Sequence, residues 1–194
     1  MNMYISFKKD AWDEGAITHA YTYRFPFTNR FVQRDSYIEN AINAEMPDGF
    51  DYLSLLSREK YPLGTKITVN CSFSGNAAPL FVVAESLDLC EDGAYRYGNF
   101  FEIVLYKNGI NIWKMWREEN GDVAWHKRLS ARFPVAENQL HRVSVSLDKG
   151  YITVSIVDTL FSLRADDLFA SFHLGITGCE GPCRFYDMKI EKPH

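Results

Sequence analysis

The chain has no hydrophobic run long enough to cross a bilayer. Its longest apolar stretches are a handful of residues, such as Leu80–Ala84, where a spanning helix needs about 20. No membrane partner is therefore expected. It also has no basic block. Net charge is −4, and the richest local patch, Trp125-His126-Lys127-Arg128 with Arg132 nearby, is split between two faces by strand alternation. Phosphate neutralisation needs clustered Lys and Arg, so nucleic acid is not an expected partner either. The histidines (His19, His126, His141, His173, His194) show neither His-x-His nor His-x-x-x-His spacing, which argues against a metal site built on them. There is no Gly-rich phosphate loop and no Gly-x-Ser-x-Gly turn. No cofactor is implied. Cysteine is scarce: Cys71, Cys90, Cys179 and Cys183 fit no common zinc pattern. Cys179 and Cys183 flank Glu-Gly-Pro and could approach each other across a turn, though free thiols are the simpler expectation. The N-terminus lacks the charged-then-apolar order of a signal peptide. It reads as cytoplasmic, and a secreted chain trimmed of its leader would look the same.

What is present is strand chemistry. Of 194 residues, 46% are apolar and 15% aromatic, which indicates a globular chain. Aromatic and β-branched residues come in short runs broken by Gly, Asn, Asp and Pro, the pattern of strands and turns. The clearest stretch is a meander: strand Asn99–Lys107, turn Asn108-Gly109, strand Ile110–Arg117, a loop holding Asn120-Gly121, and strand Val123–Leu129. Asn-Gly is the residue pair a type I′ hairpin turn favours. A two-residue loop there predicts Tyr106 opposite Asn111 and Glu102 opposite Met115. Side chains alternate between faces along a strand. One face carries Phe101, Ile103, Leu105, Ile110, Ile112 and Trp116, a core face interrupted by Lys114. The other carries Glu102, Val104, Tyr106, Asn111, Trp113, Met115 and Arg117. A second turn centred on Asn120-Gly121 would put Trp125 and Leu129 on the core side and Ala124, His126 and Arg128 on the mixed face. A bulge in that longer connection would invert the third strand.

Around the meander the same rhythm continues. Thr65–Phe73 alternates, with Ile67, Val69, Cys71 and Phe73 inward. Leu140–Leu147 and Tyr151–Val157 form a hairpin through Asp148-Lys149-Gly150, and Ser171–Gly178 and Arg184–Glu191 read as closing strands. Pro26 marks a strand end or edge. Single helical turns are expected at Glu39–Glu45 and Arg164–Ala170. A dozen or so short strands with turns between them predict an all-β fold, a two-sheet antiparallel sandwich forming one domain over residues 1–194.

The runs Tyr97-Gly98-Asn99-Phe100-Phe101-Glu102-Ile103-Val104-Leu105 and Gly109-Ile110-Asn111-Ile112-Trp113 resemble the concanavalin A-like lectin and glucanase superfamily. So do Leu140 through Asp158, Leu174-Gly175-Ile176 and Phe185-Tyr186-Asp187-Met188-Lys189-Ile190. The resemblance implies a jelly-roll sandwich with the N- and C-terminal strands adjacent, and a glycan bound on the concave outer face of one sheet. The mixed face of the meander would be that face. Glucanases of this superfamily carry Glu-x-Asp-x-x-Glu on one strand. Here no two acidic residues are separated by a single residue, so that acid pair is absent. Lyases of the same fold carry Tyr-x-Lys-x-Gly-x-Tyr-x-Gln, which Tyr106-Lys107-Asn108-Gly109 does not match. Calcium occurs in relatives, but no Asp/Asn loop here places it.

The expected function is glycan recognition by Glu102, Tyr106, Asn111, Trp113, Arg117, His126 and Arg128, because a flat aromatic ring with planar polar partners suits the apolar faces and hydroxyl rims of sugars. The expected partner is an oligosaccharide or polysaccharide. The alternatives are a glycoside hydrolase or polysaccharide lyase using Glu102 with a group from another strand, and a non-catalytic module whose wet face joins copies into a homo-oligomer.

Overall fold

The computed structural model describes residues 2–9, 15–23, 30–46, 49–156 and 158–193; Pro26 lies outside them. Strands in chain order are β1 (Met3–Ser6), β2 (Ile17–Thr22), β3 (Val32–Gln33), β4 (Ile38–Glu39), β5 (Leu53–Ser57), β6 (Tyr61–Pro62), β7 (Thr65–Phe73), β8 (Ala78–Ala84) and β9 (Asp88–Leu89). They continue as β10 (Tyr95–Tyr97), β11 (Phe100–Tyr106), β12 (Gly109–Arg117), β13 (Val123–Arg132), β14 (His141–Asp148), β15 (Tyr151–Ile156), β16 (Thr159–Arg164), β17 (Ser171–Cys179) and β18 (Cys183–Glu191). Two sheets pack face to face. The 8-stranded sheet runs β16-β15-β14-β7-β18-β4-β3, with β1 on β18. The 10-stranded sheet runs β13-β12-β11-β8-β17-β5-β2-β10-β9, with β6 on β17. Strand β1 pairs antiparallel with β18, Ile5 opposite Met188, so the two ends of the chain are neighbours.

Among the described residues no helix forms. The two expected helical turns are corrected. Ile42 bridges Phe50 in a small hairpin, and Arg164 closes β16 before the turn at Asp166-Asp167. Both stretches are too short to offset the cost of nucleating a helix.

Alternation builds the core. Ile67, Val69, Cys71 and Phe73 of β7 and Val143, Val145 and Leu147 of β14 meet Phe81, Val83, Phe101, Ile103, Leu105, Ile110 and Ile112 of the other sheet in one buried cluster. Each such side chain contributes about 1.5–3 kcal/mol on burial, before the entropy of ordering it is subtracted. Lys114 breaks this face at its end, and the fold accommodates it there. Its Nζ lies 2.7 Å from Asp167 Oδ2 and 5.6 Å from the Phe101 ring centre.

The meander has the expected faces with a corrected register. Tyr106 pairs with Gly109, Val104 with Asn111, Ile103 with Ile112, and Glu102 with Trp113. The turn sits on Lys107-Asn108, not Asn108-Gly109. Gly109 already belongs to β12, at φ 137°, and a Cβ there would collide with the Ala131 carbonyl oxygen. Asn108 does not adopt the positive φ that a type I′ turn requires. The slip is two residues, one full period of the pleat, so every side chain keeps its face.

Candidate functional site

The outer face of the 10-stranded sheet is laid out in rows across strands. Glu102 stands between Trp113 and Val82, and Val104 between Asn111 and Leu80. The rows continue from Val82 to Gly175 and from Leu80 to Thr177 on β17. Over β12, β11 and β8 the face opens into a cleft of about 760 Å³. Its floor and sides are Glu102, Val104, Tyr106, Asn111, Trp113, Met115, Ala78 and Leu80, with Trp125, Cys179, Glu180, Tyr52, Phe50 and Met46 around them. Glu102 is 3% exposed and supplies a carboxylate at the base. Asn111 Oδ1 is buried with no hydrogen-bond partner, an unsatisfied acceptor that a ligand donor reaches only if the amide turns toward the cleft. Lys127 holds its ammonium 4.7 Å from the Trp113 ring centre, a cation–π contact that leaves the other side of the ring to the cleft.

Four of the sequence-predicted residues, Glu102, Tyr106, Asn111 and Trp113, are thus brought together. Three are not. Ile112 pairs with Leu129 as expected, but Trp113 then pairs with Lys127, Lys114 with His126 and Met115 with Trp125. Arg128 is the extra residue of a β-bulge, and the strand beyond it is inverted relative to simple alternation. His126 and Arg128 therefore point to the opposite side of the meander, into a second cleft of about 710 Å³ lined with Lys114, Trp116, Glu85, Asn99, Asp167 and Phe169. Trp125, expected in the core, is 51% exposed and joins Trp113 at the first cleft. Arg117 stacks on Tyr23 at 4.2 Å, four residues along β12 from Trp113, the partner of Glu102. Trp125, Tyr52, Phe50, Cys179 and Glu180 were missed. The bulge that exposes Trp125 carries no Gly or Pro to announce it, and the others arrive from strands distant in sequence.

In the second cleft the charged groups hold one another. Lys114 and Arg128 both hydrogen-bond Asp167, and Asn99 Nδ2 donates to Glu85 at 2.8 Å. Burial pulls the Asp167 carboxyl up, but the hydrogen bonds from Lys114 and Arg128 outweigh it and hold it below its ordinary value.

None of the cysteines forms a disulfide. Cys183 faces the main core, while Cys179 lies on the outer face with Ala78 and Leu80. Burial pushes the Cys183 thiol up to about 12, which makes it a poor nucleophile. No group of three or more His, Cys, Asp or Glu among the described residues is placed to hold a metal ion.

No family model and no curated protein matches the chain. Solved structures do. A glycoside hydrolase family 16 endo-glucanase from Bacteroides ovatus aligns at TM-score 0.59 and 10% identity over 97% of this chain and 99% of that one. A pseudo beta-1,3-glucanase of Mycobacterium tuberculosis aligns at 0.58 and 13% over 99% and 98%. The carbohydrate-binding module CBM66 from Bacillus subtilis aligns at 0.55 and 13% over 86% and 100%. The fold is a concanavalin A-like jelly roll. At these identities the likeness is one of fold, and chemistry has to be read from the cleft itself.

Glycoside hydrolysis on a jelly roll needs two carboxyl groups, about 5–5.5 Å apart for retention and about 6.5–9.5 Å for inversion. The acids lining the cleft are Glu102 and Glu180. From Glu102 the register crosses to Val82 and then Gly175, and Glu180 lies five residues further along. The two acids therefore come from strands two spacings apart, and not from alternate positions of one strand.

Proposed function

We propose that the chain binds a glycan in the cleft on the outer face of the 10-stranded sheet and does not cleave it. One observation carries this reading: indole rings and an amide share one cleft, and its two acids, Glu102 and Glu180, come from strands two spacings apart and not from alternate positions of one strand. Trp113 and Trp125 offer flat faces to sugar C–H groups, and Asn111 and Glu102 offer an amide and an acceptor for hydroxyls. That the compared structures include a carbohydrate-binding module and a pseudo-glucanase supports the same reading.

The test is a titration of an oligosaccharide panel followed by tryptophan fluorescence, with product analysis of the same mixtures. Binding with no new products is expected. Turnover abolished by Glu102→Gln would replace this reading with an enzymatic one. Silence from every glycan would overturn it.

A further inference from the structure

Building on that glycan-binding reading, we propose that the cleft seats the end of a glycan chain and excludes its interior. Three of its four sides are built up. Along the strands beyond Glu102 the outer face is roofed by protein. Tyr97, fully buried, lies over Ala20, Leu56, Val82 and Ala84 and meets Phe100 edge-on at 4.8 Å. The Tyr97 hydroxyl sits 2.6 Å from Ser54 Oγ, which in turn is 2.7 Å from Thr177 Oγ1. This hydrogen-bonded chain leaves the buried hydroxyls satisfied and the roof fixed.

Across the strands, Tyr52 packs against Ala78, Leu80 and Cys179, and with Phe50 and Glu180, which also line the cleft, it makes a wall. Asn40 holds that wall in place. Its Nδ2 donates to the Gly181 carbonyl at 2.8 Å and its Oδ1 accepts from the Cys183 N–H at 2.8 Å. The hairpin carrying Phe50 is tied again by Asn43 Nδ2 donating to Asp51 Oδ1 at 2.6 Å. At the turn end, Lys107 Nζ donates to Asn76 Oδ1 at 3.1 Å and links two turns along the rim.

The remaining side is the free edge of β13, where Trp125 is exposed. From β13 to β17 is four strand spacings, about 19 Å. A saccharide entering over Trp125 passes Trp113 and Asn111 and then meets the wall. With Tyr52 packed against Ala78, Leu80 and Cys179 across that line, a polysaccharide has no way to thread through. The terminal sugar is the unit that fits.

The experiment uses soluble β-glucan and xylan with their oligosaccharides. Each polymer is assayed intact and after limited acid hydrolysis that raises its chain ends about tenfold at constant mass, so the bound fraction reports ends and not mass. End recognition predicts that the midpoint, in mass concentration, falls about tenfold after hydrolysis. A midpoint that does not move overturns the proposal and leaves glycan binding standing. No binding by any glycan overturns both. Borohydride reduction then says which end is seated: loss of binding marks the reducing end, retention the non-reducing end. Phe50→Ala, with its fold checked by circular dichroism, is expected to raise affinity for intact polymer relative to oligosaccharide, and an unchanged ratio counts against the wall.

Discussion

Trp113 and Trp116 are three residues apart on one strand and face opposite clefts of similar volume. What separates the two clefts is the state of their polar groups. Around Trp116, Lys114 and Arg128 share Asp167, and Asn99 is engaged by Glu85. A ligand entering there would have to break ion pairs to gain hydrogen bonds, an exchange that nets little. Around Trp113, Asn111 keeps a buried oxygen with no partner, and a donor gains a bond there once the amide turns toward the cleft. Size and aromaticity do not distinguish a binding cleft from a packed mouth of the sandwich; the pairing of its polar atoms does.

The comparison breaks altogether if the meander loses its register, and Gly109→Ala is the change that does so. A Cβ facing the Ala131 carbonyl would force the turn to rebuild, at a cost on the order of 3 kcal/mol, read as a lowered denaturation midpoint with both clefts disrupted. The comparison sharpens with a pair of variants. Trp113→Ala is expected to weaken glycan binding by about 2 kcal/mol, about thirtyfold, whereas Trp116→Ala should leave affinity within about twofold while lowering thermal stability; calorimetric titration alongside melting checks both. Asn111→Ala removes the unpartnered oxygen, and a loss of about 1 kcal/mol in binding with little change in stability is expected.

Smallest is Asp167→Asn. Because the folded-state carboxyl is held below its ordinary value of 3.8, its stabilisation is complete above that value and is lost as pH falls through the lowered one. Asp167 is well exposed, so screening limits the effect to less than ~1 kcal/mol. The variant should show a flatter acid limb below about pH 4 in a stability-versus-pH series, with glycan binding untouched.

These residues also show what a sequence can reveal. The inward set of the hairpin, Phe101, Ile103, Leu105, Ile110 and Ile112, was legible because a two-residue slip leaves faces unchanged. The jelly roll was legible for the same reason: alternation and turn residues recur through β7, β14, β15, β17 and β18. Trp125, His126 and Arg128 were not. Val123-Ala124-Trp125-His126-Lys127-Arg128 has an aromatic or a long side chain at nearly every place, so neither face looks wrong when the strand is inverted. The roof over Ala20, Leu56, Val82 and Ala84 was equally hidden. Tyr97 reaches Ser54 and Thr177 only after a parallel pairing with β2, and sequence proximity gives no hint of it. Lys114 read as a flaw in the core pattern until Asp167, 53 residues later, was seen to answer it.

The bulge at Arg128 has an evolutionary corollary. Deleting that one codon would leave Leu129 opposite Ile112 and Lys127 opposite Trp113, so plain alternation would return with the indole at 125 and the imidazole at 126 each still on its present face. A lineage built on this scaffold can therefore shed the extra residue, and with it one of the two cations held by Asp167, without giving up the indole at the first cleft.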